Sequence, residues 1–365
     1  MAVMKGAGTK KPTIAMVAAQ AGVAVSTVSR FLNGHYVSPE VRARLAQVIE
    51  TLGYSRSWTA RNLSLGRRGS IGVVVDSIED PWFVQVLLGI EEELASRDSS
   101  LMLASLELLG RYDPARVFEW IREHRVDGMI LAKTQRRDRA ILQAAGQARL
   151  PMVAIGPDER LPDVQVLHCN NFEAGVLLAE HLADLGHVKV AFAGGPSHSL
   201  DSKHRLRGVR EGLANRGLRL DAAMVFSCGG WEIEAGTAFG QAILGRPLPM
   251  TAIVFANDAL ALGFLRVAHE RSVRVPHDVS IVGFDGLPLG AVSWPSLTTV
   301  SQPIRDMGRV ACRRLFEIIA TPGTVEQIQF RMTLVPRESS GRVPVAAEKS
   351  HLQPVIRPSL ASGRE

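Results

Sequence analysis

Apolar residues between positions 14 and 54 recur at the spacing of helices. Thr13 can cap the first predicted helix, and Gly22 suits the positive φ of the turn after it. Ser38 can cap a later helix with Pro39 at its first position, and Gly53 can end it. The apolar stripes are Ile14, Val17, Ala18 and Ala21, then Val23, Val28 and Phe31, then Val41, Leu45, Val48, Ile49 and Leu52. This pattern predicts three short helices around one small core, as in a helix-turn-helix unit.

From residue 70 onwards, short β-rich apolar runs alternate with amphipathic segments. The runs are 71–75, 101–104, 127–132, 151–156 and 164–169, followed by 189–195, 224–227, 251–258, 279–285 and 297–303. Alternating β and α units predict doubly wound parallel sheets, and two series of runs predict two similar lobes. Ligands bind such sheets at the carboxyl ends of the strands, so we expect a binding cleft between the lobes.

Charge separates the two parts of this 365-residue chain. Residues 1–68 contain ten Lys and Arg residues against two acidic ones, a balance of +8, whereas the whole chain carries +6. A small basic module on a near-neutral body predicts a polyanionic partner for the module. The alternative is a basic solvated tail, but a tail would not need the apolar periodicity of residues 14–54.

Composition and motifs exclude several other classes of protein. Cys169, Cys228 and Cys312 form no CxxC pair, which excludes a disulfide scaffold and a cysteine zinc site and favours a reducing cytoplasm. The histidines lack metal-ligand spacing, and Pro196 follows the "AGG" at 193–195 where a dinucleotide motif would continue. We therefore expect no metal, no cofactor and no enzymatic nucleophile. No apolar run approaches the about 18 residues of a membrane helix, so no membrane partner is expected.

The segment TIAMVAAQAGVAVSTVSRFLNGHYVSPEVRARLAQVIETLGY resembles the DNA-binding head of the LacI/GalR (lactose-repressor) family. The stretches TVSRFLN, VSPEVR and LGY carry this resemblance. It implies that Val25, Ser26 and Arg30 enter the major groove and read bases. The remaining implied DNA-binding residues, which contact or approach phosphate or belong to the same surface, are Thr13, Thr27, Ser29, Asn33 and Tyr36. Two departures concern helix ends, because Ala24 replaces the usual capping Ser and Met16 replaces the usual Asp.

Residues 57–66, SWTARNLSLG, resemble the hinge of the same family. In relatives this segment is a short helix that orders on operator DNA. The resemblance implies that Leu63 enters the minor groove as an apolar wedge and that Ala60 lets two hinge helices approach in a dimer.

The body resembles the effector-binding core of the same family through stretches such as DPWF, VDGMIL, EHLADLGH, AIVFANDALALG and VPHDVSIVGFD. The effector residues that this resemblance implies are Asp76, Asp80, Trp82, Phe83, Lys133, Asn170, Arg205, Asn257, Asp285 and Gln302. Trp231 and Trp294 are further candidates for the cleft. Such side chains suit a polyol, since carboxylates and amides pair with hydroxyls and an aromatic ring can stack on a sugar. Two cations, Lys133 and Arg205, suggest an acidic effector such as a sugar acid or a phosphosugar.

The sequence thus predicts an all-α helix-turn-helix head and hinge joined to an α/β, two-lobed, periplasmic-binding-protein-like core. We expect a head at 1–56, a hinge and linker at 57–69, a core at 70–340 and a mobile tail at 341–365. Lobe 1 is expected at about 70–169 plus 303–325, and lobe 2 at about 170–300 plus 326–340. The resemblance implies a cytoplasmic repressor that binds a pseudo-palindromic operator as a homodimer. A sugar-binding protein without a DNA role would explain the core equally well, and an enzyme on the same fold is a third alternative.

Overall fold

The computed structural model describes residues 12–55, 67–108, 111–132, 138–156, 161, 163–245, 248–321, 323 and 325–343. The chain divides into two compact units, residues 1–69 and 70–365. The predicted hinge residues Ala60 and Leu63 lie outside the described residues, and so does Lys133.

The first unit contains three helices, α1 (Ile14–Ala21), α2 (Val25–Leu32) and α3 (Pro39–Leu52). Thr13 and Ser38 cap α1 and α3, and Gly22 and Gly53 end these helices with positive φ. The small core is formed by buried Val17, Ala18, Ala21, Val28, Leu45 and Val48. The three predicted helices and their apolar stripes are therefore confirmed. Within the described part of the chain no single helix could span a membrane, and the one pair that has the required composition, α1 with α2, is bent by 109°.

The second unit begins with lobe 1. In chain order its elements are β1 (Ser70–Val75), α4 (Pro81–Leu94), β2 (Ser100–Ser105), β3 (Glu107–Leu108), β4 (Arg111–Tyr112), α5 (Ala115–Arg122), β5 (Gly128–Ala132), α6 (Arg139–Gln147), β6 (Met152–Ile155) and β7 (Gln165–Cys169).

Lobe 2 follows lobe 1 along the chain. The remaining elements are α7 (Asn171–Asp184), β8 (Val190–Gly194), α8 (Leu200–Ala214), β9 (Val225–Ser227), α9 (Ile233–Ile243), β10 (Ala252–Phe255), α10 (Asp258–Glu270), β11 (Ser280–Asp285), α11 (Pro288–Val292), β12 (Thr298–Ser301), α12 (Ile304–Ala320), β13 (Gln327–Phe330) and β14 (Thr333–Val335). The chain returns to lobe 1 for α12 and β13 and ends its regular structure with β14 in lobe 2.

Each lobe is built on a six-stranded sheet. The strand order is β13-β7-β6-β5-β1-β2 in lobe 1 and β14-β12-β11-β10-β8-β9 in lobe 2. All neighbouring strands in these two sheets are parallel except β12 and β14. Each predicted apolar run contains a strand. The inner strands are buried on both faces, and such parallel strands leave continuous apolar runs in the sequence.

The expected lobe boundary near residue 326 is wrong. Strand β13 pairs with β7 in a register that runs from Gln327 opposite Val166 to Phe330 opposite Cys169, so it belongs to lobe 1. Only after Arg331 and Met332 does the chain reach β14 in lobe 2. The sequence did not reveal this strand because it is short, lies at the sheet edge and is only half-buried.

Residues 341–343, expected to begin a mobile tail, are instead fixed on lobe 2. The Gly341 carbonyl accepts a hydrogen bond from His187 Nε2 at 2.9 Å, and the Val343 N–H donates to the Leu185 carbonyl at 3.2 Å. Just before them, the fully buried Ser339 donates its hydroxyl to the Ile281 carbonyl at 2.6 Å. We refer to residues 337–343 as the C-terminal strap.

Candidate functional site

A small cavity with both polar and apolar walls lies between the two lobes, where the strands of both sheets end. It is lined by Trp82, Gly156, Cys169, Asn171, Asp201, Arg205 and Gln302. Gly156 follows β6, Cys169 ends β7, and Gln302 follows β12. The parallel sheets thus place the cavity where their topology predicts a ligand site. Of the predicted effector residues, Trp82, Arg205 and Gln302 line it directly.

Arg205 is a buried cation held by neighbours on several sides. Its Nε donates to Asn171 Oδ1 at 2.8 Å, and its Nη1 donates to the Ala256 carbonyl. Its Nη2 lies 4.0 Å from Asp285 Oδ1, and its guanidinium carbon lies 3.5 Å from the Phe284 ring centroid. The guanidinium is therefore fixed in direction, and the nearby carboxylate partly compensates its charge.

Close contact between α7 and α8 explains how Arg205 reaches Asn171. A Cβ added at Gly208 would overlap the carbonyl oxygen of Phe172, and one added at Gly175 would overlap the carbonyl oxygen of Arg205. Only glycine allows the two helix backbones to meet at this distance. The glycines thus bring the beginning of α7 against α8 near Arg205, so polar side chains of both helices reach the cavity.

Asp285 and Gln302 are joined next to Arg205. The Gln302 N–H donates to the Asp285 carbonyl at 2.9 Å, and the Gln302 side-chain Nε2 donates to Asp285 Oδ1 at 2.6 Å. Gln302 lies on the segment that crosses from lobe 2 to α12 in lobe 1. The site therefore includes one of the connections between the lobes.

Asn257 positions an aromatic side chain that the sequence offered only as a further candidate. Its Oδ1 caps α10 by accepting from the Leu260 N–H at 2.9 Å, and its Nδ2 donates to the Trp231 carbonyl at 2.8 Å. The Trp231 ring lies over Gly195, where an added Cβ would come within 2.7 Å of it. The ring centroid is 5.6 Å from the Arg205 guanidinium carbon, which places Trp231 next to the cavity.

The other aromatic candidates have different places. Trp294 is 82% exposed and is not among the cavity-lining residues. Phe83 is buried in the lobe 1 core, where its ring meets Trp82 edge to face at 5.2 Å. Only Trp82 of this pair reaches the cavity, so Phe83 supports the site rather than lining it.

Two predicted polar residues serve as helix caps at the lobe junction. Asp80 Oδ1 accepts from the Trp82 N–H at 2.9 Å and begins α4, while Asn170 Oδ1 accepts from the Glu173 N–H at 3.2 Å and begins α7. Asp76 follows β1, and its carbonyl accepts from the Glu107 N–H at 2.7 Å. None of these three is among the residues that line the described cavity.

Two polar cavity residues, Asn171 and Asp201, are absent from the effector residues that the sequence predicts. Asn171 contacts Arg205, and its Nδ2 donates to Asp201 Oδ1 at 3.3 Å. Both residues line the cavity. The signal was the second asparagine directly after a strand, and an aspartate one helical turn before Arg205. The described lining therefore carries one arginine and one aspartate, with Asp285 beside the arginine.

The first unit presents most of its predicted DNA-binding side chains to solvent. Ser26, Arg30, Asn33 and Tyr36 are exposed, and the apolar Val25 is 46% exposed. The other three predicted residues are less exposed or serve as caps, namely half-buried Thr27 and Ser29, and Thr13, which accepts from the Met16 N–H at 3.3 Å. Ala24 provides no side-chain cap for α2, as its methyl side chain dictates.

Comparison with known proteins relates each unit to a described family. The sequence of residues 13–57 matches the family of bacterial regulatory proteins called lacI, and residues 179–340 match the family of periplasmic binding protein-like domains. The HTH-type transcriptional repressor PurR of Mannheimia succiniciproducens is 30% identical over 91% of this chain and 99% of its own.

Two solved structures are similar to this chain over both of its units. A transcriptional regulator CelR–cellobiose complex is 30% identical, with 90% of this chain and 100% of that chain covered and a TM-score of 0.67. A lac repressor dimer bound to operator and the anti-inducer ONPF is 25% identical, with 91% and 100% covered and a TM-score of 0.78.

Proposed function

Because the chain belongs to the LacI family of bacterial transcriptional regulators, we propose that it represses transcription by binding a pseudo-palindromic operator as a homodimer, under control of a small carbohydrate effector. It is a DNA-binding regulator and not an enzyme. One observation carries the finer proposal: the same chain combines an exposed polar face on α2 with an interlobe cavity that buried Arg205, Asn171 and Gln302 help to line.

The DNA-binding surface is proposed to be α2 and the residues beside it. Val25, Ser26 and Arg30 would read base edges, since apolar, hydroxyl and guanidinium groups each match a major-groove feature. The proposed phosphate-side residues are Thr13, Thr27, Ser29, Asn33 and Tyr36. In the hinge we propose that Leu63 enters the minor groove and that Ala60 lies between two hinge helices.

A second copy of the chain would present two heads to half-sites about one helical turn apart. An exposed apolar cluster at α11 supports such a partner. Leu289, Val292 and Trp294 are all exposed, Trp294 by 82%. Apolar side chains this close together and this exposed are typical of a protein interface. The lac repressor structure that this chain resembles is a dimer.

The effector is proposed to be a carbohydrate: a sugar, a sugar acid or a phosphosugar. Buried amide, carboxylate and guanidinium groups beside Trp231 and Trp82 suit a polyol. Among the described residues the charge arrangement favours the neutral sugar, because Asp285 lies 4.0 Å from Arg205 and Asp201 also lines the cavity. The related CelR was solved with cellobiose.

The effector would control operator binding by shifting the protein between two arrangements of its lobes. The proposed location is the cytoplasm, where the operator is accessible. An effector moves this equilibrium only if it binds one arrangement better. Calorimetric titration with a neutral sugar, its acid and its phosphate would identify the preferred form. Binding of the charged forms alone would contradict the neutral preference.

Selection of bound sequences from random duplex DNA tests the proposal as a whole. The full-length protein at physiological salt is expected to enrich a palindrome with a flexible central step. If no sequence is enriched with or without candidate sugars, the proposed DNA role fails. The remaining alternative would then be a sugar-binding protein without a DNA role.

A further inference from the structure

Asp258 is a fully buried carboxylate that neither DNA binding nor effector binding has so far used. It lies at the start of α10, where its Oδ2 accepts from the Leu287 N–H at 2.7 Å and its Oδ1 from the Thr299 hydroxyl at 2.7 Å. Burial raises the pKa of Asp258 to about 6, and the hydrogen bonds from Thr299, Leu287 and Gly286 and the charge of Arg337 oppose that rise. A buried carboxylate is costly unless donors surround it, so these donors are what retain it.

The turn that contains two of these donors, Gly286 and Leu287, is strained. Asp285 has a φ of 124° and Gly286 a φ of 77°. The first value is rarely adopted by any residue with a side chain, and the second suits glycine. Strained backbone persists only where the surrounding structure holds it. Asp258 holds this turn through the N–H groups of both Gly286 and Leu287.

The two ends of the turn face different parts of the core. Asp285 meets Gln302 at 2.6 Å and lies 4.0 Å from Arg205 at the cavity. Leu287 is 1% exposed and belongs to the apolar cluster of lobe 1, which includes Trp82. Leu287 follows β11 of lobe 2, so this contact joins the lobes. One carboxylate therefore fixes both a cavity residue and a lobe contact.

We propose that Asp258 is a positioning residue of the effector response, which couples Asp285 in the cavity to the packing of Leu287 against lobe 1. The inference rests on the proposed function, because it treats Asp285 as an effector ligand. A ligand on Asp285 acts on a turn whose other end packs against lobe 1. Asp258 makes that turn a stiff connection between the two ends.

Hydrogen exchange on the full-length, unliganded protein tests the connection. Asp258→Asn is expected to accelerate exchange of the Leu287 amide by about ten-fold, because only one of the two polar atoms of the Asn side chain can accept and a neutral acceptor binds an N–H more weakly than a carboxylate does. Exchange is expected to rise also at the start of α4 in lobe 1, around Trp82. Thr299→Val removes one donor and should produce a smaller rise in the same two places. Asp278→Asn, which removes a surface carboxylate of the same lobe, is the control and should change neither.

Faster exchange confined to lobe 2 would overturn the proposal, since Asp258 would then stabilise only its own lobe. Unchanged exchange at Leu287 would overturn it as well. If Asp258→Asn does not fold, Thr299→Val decides by the same comparison between the lobes.

A second measurement repeats the exchange with cellobiose, D-ribose and their phosphates as probes. A sugar that binds the parent is expected to protect both Leu287 and the start of α4. In Thr299→Val and Asp258→Asn, protection at α4 should be lost or reduced even when the sugar saturates the protein. Full α4 protection in the saturated variants would overturn the proposal. If none of the probes binds the parent, the proposed effector class is in question, and the unliganded comparison still decides the role of Asp258.

Discussion

Gln302 is joined to Asp285 twice, through its backbone N–H at 2.9 Å and through its side-chain Nε2 at 2.6 Å. The first bond continues the pairing of β11 with β12, and the second fixes the carboxylate that faces Arg205. Because the chain leaves lobe 2 for lobe 1 at this point, the pair ties the cavity to a lobe crossover. A ligand that forms hydrogen bonds with Asp285 would therefore act directly on the segment that connects β12 of lobe 2 to α12 of lobe 1.

Replacing Gln302 by Met should weaken both the site and the fold. The buried Asp285 carboxylate would lose a donor while the volume of the side chain is kept, at a cost of about 1–3 kcal/mol. Effector affinity should fall with it, as calorimetry and urea denaturation would show. Gln241→Met, at an exposed glutamine of α9, is the matched control and should change neither quantity. If Gln302→Met binds the effector as tightly as the parent does, Gln302 is not part of the effector site.

Arg30→Ala should relax sequence preference in DNA binding. An exposed guanidinium on α2 that reads a base contributes about 1–3 kcal/mol of discrimination, whereas one that meets only phosphate weakens binding to all sequences alike. Affinities for the selected operator and for scrambled DNA give the comparison. Arg44→Ala removes the same charge from the exposed surface of α3 and should leave the ratio unchanged. Equal ratios in both variants would refute base reading by Arg30.

Val25 is expected to read the methyl group of a thymine. It is 46% exposed at the start of α2, and the thymine methyl is the apolar feature of the major groove. Replacing each conserved operator thymine by deoxyuridine removes only that methyl. One such replacement should weaken the parent by several-fold and leave Val25→Ala unaffected. Ser26→Ala, changed at the next position, should stay sensitive to it. A loss that is the same in the parent and in Val25→Ala at every thymine would exclude this contact.

Adding a cap to α2 should stabilise the head. Thr13 and Ser38 cap α1 and α3 with hydroxyls, but Ala24 leaves α2 without a side-chain cap. Ala24→Ser should raise the free energy of opening of α2 by about 1 kcal/mol, and Ser38→Ala should lower that of α3 by a similar amount. Hydrogen exchange of the helix amides in the full-length protein measures both. If α2 exchanges no more slowly in Ala24→Ser than in the parent, the introduced hydroxyl makes no cap.

The sequence predicted the fold and the position of the interlobe cavity better than it predicted the contacts around that cavity. Buried strands and capped helices leave local signals, and the paired glycines near Arg205 do not, because their role depends on the other helix. Asp201 and Asn171 reach the cavity through that same helix crossing. Strand β13 is short and half-buried, so its pairing with β7 depends on a partner about 160 residues away in the chain. Trp294 was misplaced because an aromatic residue is equally typical of a cleft and of a protein interface.

The C-terminal strap should loosen in acid through His187. This imidazole is fully buried, with Nδ1 2.9 Å from the Thr251 hydroxyl and Nε2 donating to the Gly341 carbonyl at 2.9 Å. Burial lowers the pKa of His187, the bond to Gly341 opposes that effect, and the charge of His181 adds to it. A lowered pKa means that the unfolded chain takes up a proton more readily than the folded protein. The stabilisation is thus complete above the ordinary histidine pKa of about 6.5 and is lost as the pH falls below it.

Urea denaturation of the parent and of His187→Gln across about pH 8 to pH 5 measures this effect. The parent should be more stable at the alkaline end, and the difference between the two proteins should narrow as the pH falls. Subtracting one curve from the other removes the titrations that both share. His269→Gln, at an exposed histidine of α10, should track the parent. If the difference in unfolding free energy between the parent and His187→Gln is the same at every pH, His187 holds the strap but its protonation does not affect stability.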